Sequence, residues 1–339
     1  MRARSARGRA AGLLLGFAAD RLLGDPERWH PVAGFGRLGR SVESRLYADS
    51  RARGVAHTAI LVGGAVAVGL LAEAGARALV EGPDDCRRGG PIAARSARLA
   101  GSRAAETLVV AAATWLVLGG RSLEREAVAV HALLEAGDVP AARVQVRRLI
   151  GRDTDELDAS EIARGVIESV AENTADAVVG PLVWGAVAGV PGLLGYRAIN
   201  TLDAMVGHHN ARYERYGWAS ARLDDLATWP PARVVGLATL AVAPGRAREA
   251  WRAWRRDAAG HPSPNAGVAE SVFAGILGIR LGGTNRYYGS RVEHRAIMGD
   301  GRAASPGDIA GAVRLARRID LAALAGAAAL AAVVTGSRR

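Results

Sequence analysis

Long apolar runs alternate with arginine-rich polar stretches along the chain. The clearest run, 56–76, contains HTAILVGGAVAVGLLAEAGA and is interrupted only near its end by Glu73. A helix crossing a hydrocarbon core about 30 Å thick needs about 20 such residues. The run 177–196 carries no charge but contains Pro181, Pro191 and several glycines, so it reads as a crossing, kinked or re-entrant segment. Shorter runs lie at 107–120 and 234–243, and an alanine-rich one at 321–335. At the start, four arginines within 1–9 precede the apolar run 10–19, an outline shared with signal peptides. That run leads directly into the polar string 20–30, which favours a retained membrane-inserted start. The pattern predicts four or five membrane segments. The alternative is that some runs are buried helices of a soluble α-bundle.

The polar stretches are of several kinds. Residues 83–103, rich in Arg, Gly and Asp, read as a flexible loop in an otherwise single domain spanning 1–339. Residues 121–165 read as helices, with 123–137 showing helical spacing and Val139-Pro140 beginning another after Gly137-Asp138. The basic stretch 246–256, with Trp251 and Trp254, suits a membrane interface. There is no internal repeat and no strand-like alternation of any length, so the predicted fold is all-α: a polytopic membrane helical bundle with polar helical loops.

Composition narrows the chemistry. The 44 basic residues are all arginine, against 33 acidic residues, for a net charge of +11. Without lysine there is no P-loop, no kinase strand lysine and no pyridoxal Schiff base. One cysteine, Cys86, excludes an intrachain disulfide and a cysteine-cluster metal site. The excess of Arg, Ala and Gly has the look of a general compositional bias. The charge is therefore read as favouring anionic lipid, with no nucleic-acid partner.

Five constellations of residues are candidates for chemistry. Asp20, Asp25 and His30 crowd the end of the first apolar run, where the turn chemistry of Gly-Asp-Pro is the competing reading. In EIARGVIESVAENTAD, a continuous helix would stack Glu168, Glu172 and Asp176 on one face, with Glu161 earlier. Such like-charge repulsion would be relieved by a divalent cation, or by Arg164 pairing with Glu168. On a helix, Asn200, Asp203 and Asn210 share a face with Gly207 between them, and Arg197, Thr201 and His208 share another. Ser263-Pro264, followed by Asn265, forms a helix start that leads to Glu270. Finally, the run from Gly282 to Gly289, containing Asn285, Arg286, Tyr287 and Tyr288, reads as a ligand loop or a turn.

Four ordered strings resemble one family: DRLLGDPERWHPVAGFGRL, ARGVIESVAENTADAVVGPLVW, GYRAINTLDAMVGHHNARYERYGWASARLDDLATWPPAR and HPSPNAGVAESVFAGILGIRLGGTNRYYG. Together they are similar to the CobD/CbiB family of cobalamin biosynthesis, the adenosylcobinamide-phosphate synthases, over about 11–289. The resemblance implies a multi-pass inner-membrane ligase whose active face is cytoplasmic. Its implied reaction joins aminopropanol phosphate, or free aminopropanol, to adenosylcobyric acid as an amide, with ATP driving the step; Mg²⁺ is expected from the acidic stripe and the nucleotide phosphates. Implied partners are membrane lipid and other membrane enzymes of the corrinoid pathway. The rival reading is a non-catalytic corrinoid-binding, transport or scaffold component.

For the implied ligase, Glu168, Glu172 and Asp176 are the expected metal ligands. Arg197, Asp203 and His208 are the expected catalytic groups, with Arg197 and Arg286 on phosphate and Asp203 or His208 taking the proton. Asp20, Asp25, His30, Asn200, Asn210, Asn265, Asn285, Arg286 and Tyr287 are expected to bind substrate. Trp29, Trp184 and Tyr288 join Tyr287 as aromatics for the corrin.

Overall fold

The computed structural model describes residues 2–25, 31–81, 92–208, 210–287, 289 and 291–337. Its helices are α1 (Arg2–Leu23), α2 (Pro31–Leu46), α3 (Arg51–Glu81), α4 (Ile92–Val117), α5 (Gly120–Glu135), α6 (Val139–Val146) and α7 (Ala159–Asn173). They continue as α8 (Gly180–Ala188), α9 (Val190–Val206), α10 (Trp218–Val242), α11 (Ala247–Asp257), α12 (Ala266–Leu277) and α13 (Pro306–Ser337). Three strands, β1 (Ile279–Tyr287), β2 (Arg291–Met298) and β3 (Arg302–Ala303), lie between the last two helices.

Several expectations are corrected. The fold is mostly helical but not all-α: β1 pairs antiparallel with β2 and parallel with β3. A β-bulge between Leu281 and Gly283 resets the alternation after three residues, and β2 is largely exposed, so neither strand displays a hydrophobic period of two. Residues 92–103, expected to be loop, belong to α4, and 82–91 lie outside the described residues. Among the described residues, two helical stretches are long and apolar enough to cross a membrane: Arg51–Leu79, with mean hydropathy 2.0, and Arg103–Glu135, with 1.2. A third qualifies only if Trp218–Val242 and Pro244–Gly260, bent by 100°, count as one. Among the described residues the candidate spans thus number two or three, and the expected four or five are not confirmed.

Contacts divide the chain into two units: Met1–Leu118, Pro181–Ala227 and Leu324–Arg339 form one, and Gly119–Gly180 with Thr228–Ala323 the other. In the first, α1 lies along α4, and α3 packs against α9. Gly8, Gly12 and Gly16 recur every fourth residue on the α1 face turned to Thr107, Val110 and Thr114. Small residues at this spacing let two helix backbones approach closely, a common way of joining helices in lipid. The Thr107 hydroxyl donates to the Gly8 carbonyl at 3.2 Å.

The run 177–196 is not one helix. It leaves a π-helical turn, Thr174–Val179, continues as α8, and breaks at Gly189, whose φ of +69° belongs to the region glycine tolerates. After the break, Gly192 packs so closely on Trp184 that a methyl group would overlap its carbonyl. Glu73, which looked like a flaw in the first span, caps the new helix: its Oε1 accepts from the Val190 N–H at 2.9 Å. The orphan N–H groups of a helix start need such a partner. Glu73→Leu is expected to lower stability by about 1–2 kcal/mol, and Glu73→Gln, which keeps an acceptor, by less. Thermal unfolding in detergent measures this; indistinguishable Leu and Gln variants would mean the cap contributes nothing.

Pro230 and Pro231 lie inside α10. Pro231 cannot donate to the Ala227 carbonyl one turn earlier, and the Trp184 indole N–H takes that role at 2.8 Å. A helix can thus run through two prolines that normally terminate it.

In the second unit α7 is central, with α5, α6, α12 and β1 packed around it. Asp158 and Glu161 form a reciprocal capping box at its start. The helices expected within 121–165 are present, and the Asp138 side chain caps α6 by accepting from Ala141. Every residue of α12 from Ala266 to Gly275 is buried.

Candidate functional site

The second unit holds a buried polar core between α7, the loop before it, and the β1–β2 hairpin. Arg152, on the loop, reaches α7 because Gly165 has no side chain to exclude its guanidinium. Its Nη1 donates to Glu168 Oε2 at 2.9 Å and to Asn285 Oδ1 on β1. Glu168 Oε1 accepts from the Gly282 N–H at 2.8 Å and lies 3.4 Å from Arg164 Nη1. Arg164 also donates to Asn285 Oδ1 at 3.2 Å and to the Gly282 carbonyl. Burial pushes the Arg152 guanidinium below its usual range, against the pull of Glu168.

Alongside lies a second buried group, to which the sequence pattern assigns no role. Glu270, on α12, is 1% exposed, and neither of its oxygens has a hydrogen bond among the described residues. His261 Nε2 stands 3.4 Å from Oε1. The other ring nitrogen, Nδ1, is 3.0 Å from the Ser263 N–H nitrogen and 3.1 Å from the Ser263 carbonyl, so either tautomer finds a backbone partner. Arg295, on β2, lies 3.5 Å from His261 Nε2 and donates to the Tyr287 hydroxyl at 3.1 Å.

Burial, then the nearby charges of Glu168 and Glu172, push the Glu270 carboxyl well above the usual range. Burial and Arg295 push His261 down. Both shifts favour the uncharged acid beside the uncharged imidazole over an ion pair, an arrangement suited to proton exchange. Burial also raises the Tyr287 phenol.

A cleft of about 480 Å³ opens between the loop and the hairpin, lined by Asp153, Asp155, Glu156, Glu161, Asn285 and Arg286 among others. Arg286 pairs with Glu156 at 3.0 Å, and Asp153 Oδ2 accepts from the Gly289 N–H at 2.7 Å. Carboxylates outnumber guanidinium groups here, an arrangement suited to a cation or a zwitterion.

The expected metal stripe does not form. It presupposed one continuous α-helix, but the π-turn begins at Thr174, within the stripe, and removes Asp176 from the i, i+4, i+8 register. Glu172 is exposed, and Glu168 is buried with both oxygens engaged by Arg152, Arg164 and Gly282. Glu161 is taken up in the capping box. Among the described residues no three His, Cys, Asp or Glu side chains gather as a metal site requires. The three carboxylates thus do not fit a Mg²⁺ cage, which needs near-octahedral oxygen ligands. The alternative pairing of Arg164 with Glu168 is what the structure contains.

Asn265 is 3% exposed and its Oδ1 accepts from Arg233 at 2.8 Å, a tie between α10 and the start of α12. The helix begins at Ala266 with Asn265 as its N-cap, so Ser263 and Pro264 are not the cap and first helical residue; the Ser263 hydroxyl still accepts from the Asn265 and Ala266 N–H groups.

The remaining expected residues lie in the first unit. Asp20 is buried on α1, and Asp25 follows the helix end, where Trp115 Nε1 donates to the Gly24 carbonyl at 3.0 Å. His30, Trp29 and Tyr288 lie outside the described residues. The shared face of Asn200, Asp203 and Asn210 is not realised, because α9 ends at Val206 with Gly207 as its C-cap. Asn200 donates to Asp224 at 3.4 Å, while the Asn210 side chain closes a turn by accepting from the Arg212 and Tyr213 N–H groups. His208 is exposed beyond the helix end, so it shares no helix face with Arg197 and Thr201. Those two line an apolar cavity of about 200 Å³ with Phe35, Val68, Leu116 and Leu194. Nearby in sequence, Glu43 accepts from both Arg212 and Tyr213, and Arg212 stacks 4.2 Å over Tyr47.

The family model described as CobD/Cbib protein matches residues 13–316. The chain belongs to the CobD/CbiB family. It is similar to the cobalamin biosynthesis protein CobD of Mycobacterium tuberculosis, 47% identical over 334 residues, which cover 98% of this chain and 97% of that one. The protein of the same name from Chromobacterium violaceum is 41% identical over 299 residues, covering 88% and 89%. No solved structure matches. The CobD/CbiB match spans the Glu168 core, the Glu270–His261 pair and the cleft alike.

Proposed function

We propose that the chain is an amide-forming ligase of cobalamin biosynthesis. It would activate a carboxylate of adenosylcobyric acid with ATP and join it to aminopropanol phosphate or aminopropanol. The observation that carries the reading is family membership over nearly the whole chain, with a relative named for cobalamin biosynthesis matching 98% of it. The polar core supports it: a carboxylate is a poor electrophile, and its conversion to an acyl phosphate calls for cations on the transferring group and a proton acceptor for the amine. With no lysine in the chain, arginine does the phosphate work.

In this reading the acidic cleft receives the ammonium end of the amine, Arg286 faces its phosphate, and the Glu270–His261 pair takes up the released proton. Mg²⁺ would come with the nucleotide, since Glu168, Glu172 and Asp176 do not gather to hold it. The apolar helices suit the inner membrane, with the chemistry on the side that holds ATP.

Purified protein in detergent, supplied with adenosylcobyric acid, aminopropanol phosphate, ATP and Mg²⁺, is expected to form the amide and release ADP in equal amounts. Corrinoid binding without product would move the chain to the rival class of binding, transport or scaffold components.

A further inference from the structure

The basic stretch that ends the bent helix pair is not used by the site described above. Its helix, α11, has two distinct faces. Ala250, Ala253 and Asp257 are buried. Trp254 packs on α10 where Gly236 leaves room for its ring, and joins a small core with Ala232, Ala258 and Val268. Arg248, Trp251, Arg252 and Arg255 form the opposite, exposed face at helical spacing, and Trp251 keeps 43% of its surface exposed.

The arginines of this face are not drawn into ion pairs. Among the described residues, no carboxylate lies within ion-pair distance of Arg246, Arg248, Arg252 or Arg255. Arg256, one residue on, is paired with both Asp257 and Asp300. Arg255 stands 5.8 Å over the Trp251 ring. Arg246, Arg252, Glu249 and Asp300 line a cavity of about 190 Å³ together with Gly275, Gly278, Gly299 and Gly301, and Asp300 is already paired with Arg256. Gly278 admits the Arg246 guanidinium against the main chain, where a methyl group would collide with it.

We propose that the exposed face of α11 lies on the anionic phospholipid surface, with one headgroup phosphate seated between Arg246 and Arg252. The bend between the two helices selects this occupant. At 100° it sets the arginine-rich α11 across the axis of the more apolar α10, the geometry of a helix lying on a surface beside an inserted one. An arginine-rich helix with an exposed tryptophan, continuous with an apolar helix, has the composition of an interfacial element. Two guanidinium groups beside these glycines match a phosphodiester, and Arg248 and Arg255 add attraction to neighbouring headgroups.

The test uses the full chain in neutral detergent micelles, with phosphatidylglycerol and phosphatidylcholine carrying the same fluorescent acyl chain as probes. Phosphatidylglycerol is expected to bind more tightly. Arg246→Gln with Arg252→Gln should weaken it by about 30-fold, the loss for two surface arginines. Arg314→Gln with Arg318→Gln, which removes the same charge from exposed positions on α13, should leave it unchanged. Thermal midpoints establish that the variants are folded; if the first pair is not, Arg248→Gln with Arg255→Gln should show a loss in the same direction. Equal affinity for the two lipids, or equal losses in the α11 and α13 variants, would overturn the proposal. So would inorganic phosphate binding at the same strength as the lipid, which would make the cavity a site for a soluble anion.

Discussion

Arg152→Met is expected to destabilise the second unit by about 3 kcal/mol, the lower end of the cost of removing one partner from a buried ion pair. The two side chains are only 4% and 9% exposed, so the stranded carboxylate of Glu168 cannot regain water. Arg164 and the Gly282 N–H remain beside it, which holds the loss to that lower end. Adding Glu168→Leu to Arg152→Met should recover much of the loss, because the charge left without its main partner is then gone. Hydrogen exchange of α7 amides in the detergent-solubilised protein resolves these differences. A single variant as stable as wild type, or a double variant much worse than the single, would show that the Arg152–Glu168 contact does not organise this core.

Glu270→Gln is expected to stabilise the protein at neutral pH while removing most of its activity. The folded carboxyl titrates above its usual value of 4.5 because of burial and the charges of Glu168 and Glu172, with Arg295 and Arg152 opposing. A raised folded value means that the folded state holds the proton more tightly. The corresponding stability is complete below pH 4.5 and is lost as pH rises through the folded value. Wild type should therefore fall behind Glu270→Gln by about 1.4 kcal/mol per pH unit across that window, then run parallel to it.

His261 acts in the opposite sense. Its folded value lies below the usual 6.5, chiefly through burial and Arg295, so its contribution is complete above pH 6.5 and is lost as pH falls through the lowered value. If the pair takes the amine proton, amide formation by Glu270→Gln should fall by about 10²-fold or more. Parallel stability curves for wild type and variant over the whole range would mean that Glu270 is not the buried acid described, and an unchanged rate would take it out of the reaction.

Local signals in the sequence are reliable where a single residue and its neighbours decide the structure. Asp138 before Val139-Pro140 announces a helix start, and Arg164 four residues before Glu168 announces a pair; both are present. The strands were hidden because Gly282 and Gly283 interrupt β1 with a bulge and β2 is bounded by solvent rather than by core. The metal stripe failed at Thr174, where the helix changes its winding with no proline or charge run to mark it.

The partnership of Arg152 with Asn285 joins residues 133 apart in sequence, a distance that no periodicity reports. Glu270 does leave a trace: it is the only charged residue in AGVAESVFAGIL, a helix otherwise fit for complete burial. The division into two units, with α10 and α13 each contributing residues to both, also has no marker in composition.

The glycine seam of α1 has a consequence for how the chain is made. Its partner on α4 lies 99 residues later, measured from Gly8 to Thr107. At a synthesis rate of about 5–20 residues per second, α1 leaves the ribosome roughly 5–20 seconds before the surface it fits exists. During that interval three bare glycines form a groove along a nascent helix that any other small-faced helix could occupy. Correct assembly then depends on order of arrival, and an insertion chaperone that shields the groove until α4 emerges would raise the yield of folded protein without altering its final stability.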